Sequence, residues 1–249
     1  MDVSHDGSIV ATGSEDGTVF LSDPSSGTMI DALTFKSPVT GLSFNSTKTV
    51  LAICAETTDT VMYSLAEKKL TPLHTETVNG ALSNETSPTI VRFSPQAPDR
   101  LLCANDTGRI WLWGPDKLAF SYSMQAHSDI VRAIEFSRDG TVFYSAGRDQ
   151  VIRIWDSTSG KLIRELNGHT NQIYNLNLSH DGRRLVSSGG NSAFQNSELI
   201  IWNWQTGTAL FVASPHTSAF RCAEFSPDDR ELLTVGDDGT ARLWTASRW

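Results

Sequence analysis

Short apolar runs recur along the whole chain, and clusters of Gly, Asp, Asn and Ser separate them. In Val151-Ile-Arg-Ile-Trp155 the polar Arg153 stands between two isoleucines, an alternation typical of a strand with one buried face. No segment keeps the helical period of 3.6 residues for three turns. The pattern therefore predicts an all-β chain of short strands joined by tight turns.

The strand pattern repeats six times, at steps of 42 to 49 residues, which indicates one supersecondary unit that is stacked repeatedly. The residues that close the pattern in the six copies are Ser22, Ser64, Trp113, Trp155, Trp202 and Trp244. Each copy predicts four short antiparallel strands. One such sheet cannot bury both of its faces alone, whereas a radial arrangement covers each sheet with its neighbour.

Three signatures of the repeat resemble the WD-repeat β-propeller family: the pair Gly168-His169, the turn Phe136-Ser-Arg-Asp-Gly140 and the closing Ile154-Trp155-Asp156. The resemblance is strong over residues 120–249 and weak over residues 1–115. It implies a single β-propeller domain, 1–249, of about six four-stranded antiparallel blades. The expected blades cover approximately residues 1–35, 36–75, 87–124, 128–168, 171–213 and 217–249.

The sixth copy holds only three strand patterns before it stops at Thr245-Ala-Ser-Arg-Trp249, so we expect its blade to be incomplete. Three explanations stay open: a fragment of a longer, seven-bladed ring, an incompletely closed ring of six blades, or completion by a strand from a partner. An unpaired strand edge favours association with another chain.

The resemblance also implies a hydrogen-bonded network that recurs once per blade. Its expected members are His127, Ser145, Asp149 and Trp155 in copy four, His169 and Trp202 with Ser187 or Ser188 in copy five, and His216, Thr234, Asp238 and Trp244 in copy six. His, Ser and Asp are also the residue types of a hydrolase triad, but recurrence together with a Trp favours a structural role. In copy five the Asp position falls inside an insertion, Gly189–Ser197.

The first three copies are degenerate. Cys54 and Cys103 occupy the Ser/Thr position in copies two and three, and copy one has Ser22 in place of the Trp. We therefore expect the N-terminal blades to be less rigid than the C-terminal ones.

A second insertion covers residues 75–87. Like the one at 189–197, it is rich in Gly, Asn, Ser and Thr, which predicts exposed loops.

In the WD-repeat family, partners commonly bind the face that carries the loop before each first strand. The residues expected there are Arg132, Arg148, Gln172, Tyr174, Arg221 and Asp237. Arg and Tyr are enriched among residues that dominate interface energy, and the guanidinium fork suits carboxylate or phosphate groups. The alternative is that the arginines are solvated or pair with nearby Asp129 and Asp237. Trp111 is a further aromatic candidate, for which packing is the alternative.

The net charge of −8 disfavours direct binding of nucleic acid. No apolar run has the length of a membrane span. The first residues do not form a basic segment followed by an apolar one, so we expect no secretory signal. The three cysteines, Cys54, Cys103 and Cys222, have no metal-ligand spacing and are expected to be buried thiols in a reducing compartment, the cytoplasm or nucleus. No metal or other cofactor is predicted.

The sequence thus predicts a non-enzymatic scaffold that binds protein or peptide partners, with acidic or phosphorylated segments as the favoured ligands. Its oligomeric state is left open. One alternative is an enzyme with catalytic groups at the central channel of a propeller. Another is a substrate receptor of a ubiquitin ligase, but such receptors often carry Trp-Asp-x-Arg, whereas Trp155-Asp156 is followed by Ser157-Thr158.

Overall fold

The computed structural model describes residues 1–56, 58–73, 88–114, 120–191, 196–214 and 216–245. All the regular secondary structure in these ranges is β-strand, arranged in six antiparallel sheets. The predicted all-β class is therefore confirmed. The chain divides into two compact units, Met1–Gln125 and Ala126–Trp249, with three sheets in each.

The first unit holds three four-stranded sheets. Sheet one consists of β1 (Asp2–Val3), β2 (Val10–Gly13), β3 (Thr18–Ser22) and β4 (Met29–Thr34). Sheet two consists of β5 (Val39–Phe44), β6 (Val50–Ala55), β7 (Thr58–Ser64) and β8 (Lys69–Pro72). Sheet three consists of β9 (Pro88–Phe93), β10 (Leu101–Asn105), β11 (Arg109–Trp113) and β12 (Phe120–Gln125). The loop expected over 75–87 lies outside the described residues.

The second unit holds two four-stranded sheets and one with three strands. Sheet four consists of β13 (Val131–Phe136), β14 (Val142–Gly147), β15 (Ile152–Asp156) and β16 (Leu162–Leu166). Sheet five consists of β17 (Ile173–Leu178), β18 (Arg184–Asn191), β19 (Asn196–Asn203) and β20 (Thr208–Ala213). Sheet six consists of β21 (Phe220–Phe225), β22 (Glu231–Gly236) and β23 (Ala241–Thr245). Among the described residues, sheet six is thus one strand short of the others, as expected for an incomplete last blade.

The predicted turn between the first two strands forms by a repeated set of side-chain hydrogen bonds. In sheet four, Asp139 accepts hydrogen bonds from the Ser137 hydroxyl at 2.6 Å and from the Thr141 backbone N–H at 3.0 Å. Gly140 follows in the left-handed conformation at φ 69°, which glycine adopts without steric cost. In sheet six a non-glycine residue, Asp229, takes that position at φ 57°.

Asp229 compensates for this conformation by joining two turns. Its carboxylate accepts hydrogen bonds from the backbone N–H groups of His180 at 2.7 Å and Asp181 at 2.8 Å, in the corresponding turn of sheet five. Charge-assisted hydrogen bonds of this kind are among the stronger ones in proteins. The turns of sheets five and six are therefore fixed to each other.

Consecutive sheets within each unit share apolar cores. Between sheets one and two, Leu21 packs in one cluster with Phe44, Leu51 and Tyr63. The cluster between sheets two and three includes Trp111, which is 8% exposed. Trp111 is therefore a packing residue and not an exposed binding aromatic. Two further clusters join sheet four to sheet five and sheet five to sheet six.

The three cysteines have different environments. Cys54 and Cys103 are buried, as predicted, but Cys222 is half-buried, which corrects the expectation for that residue. The reason is its position on β21, where it pairs with Val235 on the face of sheet six that also carries the exposed Leu233 and Leu243. All three are free thiols.

Candidate functional site

The expected network is assembled in sheet four. His127 Nδ1 lies 2.9 Å from Asp149 Oδ1, and His127 Nε2 lies 2.7 Å from Ser145 Oγ. The indole Nε1–H of Trp155 donates to Ser145 Oγ at 2.8 Å. Because strands β14 and β15 pair directly, they hold Ser145 and Trp155 on neighbouring strands, while the loop before β13 supplies His127.

The Trp155 N–H donates to Ser145 Oγ, and both ring nitrogens of His127 lie within hydrogen-bond distance of a partner, Nε2 of the Ser145 hydroxyl and Nδ1 of the Asp149 carboxylate. Arg153 Nη1 also lies 2.8 Å from His127 Nδ1. Arg153 adds an ion pair to Asp149 at 2.6 Å. The Ser145 hydroxyl is completely buried and engaged on both sides. A nucleophile needs an accessible hydroxyl beside an oxyanion hole, so this geometry serves structure.

Sheet five completes the same network with a residue that the sequence did not reveal. His169 Nε2 lies 2.7 Å from Ser187 Oγ, and Trp202 Nε1–H donates to that oxygen at 2.8 Å. The partner of His169 Nδ1 is Glu198, at 2.9 Å. The expectation that the acidic position falls inside the insertion is corrected: the acid lies one residue beyond it, on β19.

The longer hairpin of sheet five explains the substitution. Strands β18 and β19 are eight residues each and pair as far as Asn191 with Asn196. Gly190 and Asn191 are paired strand residues here, whereas Asp149 of sheet four and Asp238 of sheet six lie in the turn after the second strand. The longer side chain of Glu198 reaches His169 from the strand itself. The available signal for this residue in the sequence was a carboxylate directly after the insertion. It could be recognised as the partner of His169 only from the pairing of Gly189 with Glu198.

Sheet six repeats the arrangement with Thr in place of Ser. His216 Nδ1 lies 3.0 Å from Asp238, and His216 Nε2 lies 3.1 Å from Thr234 Oγ1. The Trp244 indole donates to Thr234 at 3.0 Å. The loop before this sheet is also held by Ser197 of β19, whose hydroxyl accepts from the His216 N–H at 2.9 Å.

The acidic members of the network have pKa values below their usual range. Burial alone would raise the pKa of Asp149, but His127 and Arg153 outweigh burial and lower it to about 2. For Glu198 burial is likewise outweighed, here by hydrogen bonds from His169, Thr170 and Asn171, and the pKa falls to about 2. Both groups are thus ionised at neutral pH.

In sheet three a thiol, Cys103, fills the Ser/Thr position, since it pairs with Val91 as Ser145 pairs with Ile134. In sheet two the expectation for Cys54 is wrong: Ile53 takes that position, and Cys54 lies one residue further along β6, in the cluster shared with sheet three. Thr60 Oγ1 lies 3.5 Å from Cys54 Sγ and 3.3 Å from Cys103 Sγ, and so bridges sheets two and three. Burial raises the pKa of the Cys103 thiol well above its ordinary value. Thiols form weak hydrogen bonds, so this contact is a weaker tie than the His-centred networks of the second unit.

A second constellation lies on the first strands of the three sheets in the second unit. Arg132, Tyr174 and Arg221 each occupy the second residue of their strand, on β13, β17 and β21 respectively. Five residues, called the Tyr174 cluster below, are brought together there: Arg132, Gln172, Tyr174, Arg221 and Asp237. The sequence placed all five on one face, and the structure gives their contacts.

Tyr174 is the centre of this cluster. The guanidinium carbon of Arg221 lies 4.6 Å from the centroid of the Tyr174 ring, and that of Arg132 lies 5.3 Å from it. Gln172 Nε2–H donates to the Tyr174 hydroxyl at 2.6 Å. Cation–π contacts of this type contribute about 0.5–1 kcal/mol at exposed sites. The ring therefore holds two arginines from neighbouring sheets in place.

The arginines differ in their acidic partners. Arg221 forms two hydrogen bonds with Asp237, at 2.6 and 2.7 Å. Arg148 lies 3.9 Å from Asp129, at the limit of an ion pair, and it is not part of the cluster. Among the residues that the structure describes, Arg132 forms no ion pair. The alternative was that the arginines pair with nearby Asp residues. It is correct for Arg221, Arg148 has only a long contact, and Arg132 does not pair in this way.

The described part of the chain contains no group of three or more His, Cys, Asp or Glu side chains that could hold a metal ion. Within the same residues no helix is long and apolar enough to span a membrane.

Comparison with known families agrees with this geometry. The family described as "WD domain, G-beta repeat" matches residues 1–23, 119–156, 160–203 and 207–245, which together make up more than half of the chain. The chain belongs to this WD-repeat family. Its proteins are typically non-enzymatic interaction modules within complexes, and the six antiparallel sheets correspond to blades of the WD type.

Similar WD-repeat proteins come from fungi and animals. Nuclear distribution protein PAC1 of Arthroderma benhamiae is 35% identical over 147 residues, which cover 57% of this chain and 32% of that protein. Jouberin of Mus musculus is 31% identical over 188 residues, 74% of this chain and 17% of that protein. Eukaryotic translation initiation factor 3 subunit I of Scheffersomyces stipitis is 27% identical over 123 residues, 49% of this chain and 33% of that protein. The chain thus spans a third or less of these relatives.

Proposed function

We propose that this WD-repeat chain is a non-enzymatic scaffold of the cytoplasm or nucleus that binds an acidic or phosphorylated segment of a partner protein at the Tyr174 cluster. The observation that carries the proposal is that the guanidinium groups of Arg132 and Arg221 both contact the Tyr174 ring. Both arginines are exposed, and Tyr174 is half-buried.

The cluster supports this ligand class because its cations are held in place before binding. Ordering a long side chain on binding costs about 0.5–1.5 kcal/mol, and the contacts with Tyr174 reduce that cost for both arginines. A carboxylate or phosphate between Arg132 and Arg221 would receive charge-assisted hydrogen bonds, each worth about 1.5–3 kcal/mol.

Asp237 competes for Arg221, and the size of that competition decides whether the site can work. The Arg221 side chain is 51% exposed and that of Asp237 is 27% exposed. Because this pair is bidentate and Asp237 is only partly exposed, Asp237 is an effective competitor for Arg221. A ligand at the cluster therefore shares Arg221 with Asp237 and gains its additional contacts from Arg132. Asp237 then disfavours weakly charged ligands.

The proposal is tested by binding of the purified protein to an array of phosphorylated, Asp/Glu-rich and neutral peptides. We expect binding to the first two sets, and a loss of at least about tenfold in the double variant Arg132→Ala/Arg221→Ala, equivalent to roughly 1.4 kcal/mol. The matched control is Arg183→Ala/Arg230→Ala, which removes the same charge from the exposed turns of sheets five and six. Equal losses in both variants, or binding of neutral peptides only, would contradict the proposal.

A further inference from the structure

Two buried thiols lie together between sheets two and three. Cys54 of β6 and Cys103 of β10 belong to the apolar cluster that these sheets share, and they are 0% and 1% exposed. Thr60 Oγ1 is within hydrogen-bond reach of both sulfur atoms, at 3.5 and 3.3 Å. Burial raises the pKa of the Cys103 thiol, and a hydrogen bond with the Cys54 side chain raises it further. The two thiols are thus direct neighbours across the interface of two sheets.

A glycine brings the backbones of these sheets close together at this point. Gly41 of β5 pairs with Cys54, and Val91 of β9 pairs with Cys103. A Cβ atom at Gly41 would lie 3.1 Å from the Val91 backbone nitrogen, which is tighter than ordinary van der Waals contact. A glycine within a strand permits such a close approach of another backbone. Each cysteine is therefore the cross-strand neighbour of a residue at the point of close approach, and a disulfide needs short distances of this kind.

The third cysteine has a different setting. Cys222 lies on β21 of sheet six and is half-buried, and its thiol donates to Glu224 Oε1 at 3.6 Å. It has no part in the cluster between sheets two and three. Cys222 therefore serves as an internal comparison for the chemistry of the buried pair.

We infer that Cys54 and Cys103 are a reversible dithiol–disulfide pair, which hydrogen peroxide oxidises to a covalent link between sheets two and three. The thiolate of one cysteine attacks a peroxide oxygen, the O–O bond breaks, and a sulfenic acid and one water molecule form. The second thiol attacks the sulfenic sulfur, the S–O bond breaks, and a second water molecule leaves. The two thiols lose two electrons and two protons, and the peroxide is reduced to water.

Burial sets the condition for this reaction. The thiolate is the reactive form, so a buried thiol with a raised pKa reacts slowly while the interface is closed. Oxidation therefore follows local opening of sheets two and three. Ile53 and Cys103 stand there at the positions that carry Ser or Thr in the His-centred networks of the second unit, so the polar tie at this interface is weak. Local opening is a property of such weakly tied regions.

Peptide mapping without reduction tests the inference. Folded wild-type protein is treated with hydrogen peroxide in modest excess, its remaining thiols are blocked in denaturant, and the digest is analysed by mass spectrometry. We expect one linked pair of peptides, carrying Cys54 and Cys103, which dithiothreitol separates. The link restricts the unfolded chain, so the thermal midpoint should rise by about 5 °C or more. Linking should be faster at urea concentrations below the unfolding midpoint, because urea favours opening.

The matched control is Cys222→Ser, which should form the same link and show the same shift of the thermal midpoint. Cys54→Ala and Cys103→Ala should each lose both. The maps of the wild type and of Cys222→Ser remain decisive if either alanine variant loses its fold by circular dichroism. Cys54 and Cys103 that stay free, that become sulfinic acids without a link, or that pair with Cys222 overturn the inference. A link that forms only after complete unfolding overturns it as well.

Discussion

Individual residues of the network were predictable wherever the turn that carries the acid has its usual length. His127, Ser145 and Asp149 stand in the expected spacing, and the structure joins them by hydrogen bonds. The choice between Ser187 and Ser188 depended on which of two adjacent residues faces the Trp. Ser187 does, because successive side chains of a strand point to opposite faces. Glu198 could not be foreseen, because the insertion changes the hairpin register.

The low pKa values of these acids predict a dependence of stability on pH. Asp149 and Glu198 have folded-state pKa values of about 2, below the ordinary values of 3.8 and 4.5. A group with a lowered pKa stabilises the folded state above its ordinary pKa, and that contribution is lost as the pH falls through the folded value. The urea midpoint should therefore drop between about pH 4.5 and about pH 2.

The variant Glu198→Gln assigns part of this dependence to sheet five. At pH 7 it should lower the free energy of unfolding by about 1–3 kcal/mol, because the buried His169 loses its ionised partner. The difference from the wild type should shrink as the pH falls towards 2, measured by urea denaturation at several pH values. Glu67→Gln, at an exposed turn residue, is the control. A difference that stays constant with pH would show that the charge of Glu198 has no such role.

At the scale of elements, the repeat period gave the strands and their antiparallel order, because local alternation and turn residues decide both. The repeat period could not predict that β18 and β19 extend to eight residues each, because the insertion itself has no apolar alternation. The contacts of Tyr174 with two arginines could not be predicted either. The sequence placed these residues on one face, but it did not show that both arginines contact the Tyr174 ring.

The sheets are also predicted to differ in rigidity. Sheet one has Ser22 where sheets three to six have a Trp, and Phe20 is 43% exposed. Sheet four has a complete His-centred network. Amide hydrogens of β2 and β3 should therefore exchange faster than those of β14 and β15, as measured by hydrogen–deuterium exchange. Equal protection of the two strand pairs would mean that the network adds no local stability.

At the scale of the whole molecule, the WD-repeat family follows from the repeat and from the match to the family. The identity of the partner does not follow from them, because function in such folds lies in surface residues that the repeat does not constrain. The Tyr174 cluster is a surface of this kind: it carries two arginines that contact one tyrosine ring, and we propose it as the site for an acidic ligand.

The most direct test of the account is affinity capture from cells with the wild-type chain and the double variant Arg132→Ala/Arg221→Ala. A control that removes the same charge elsewhere is Arg183→Ala/Arg230→Ala, both exposed residues. We predict that the first variant loses partners that the wild type and the control retain, and that phosphatase treatment or competing acidic peptides release those partners. An identical set of partners with all three proteins would contradict the account.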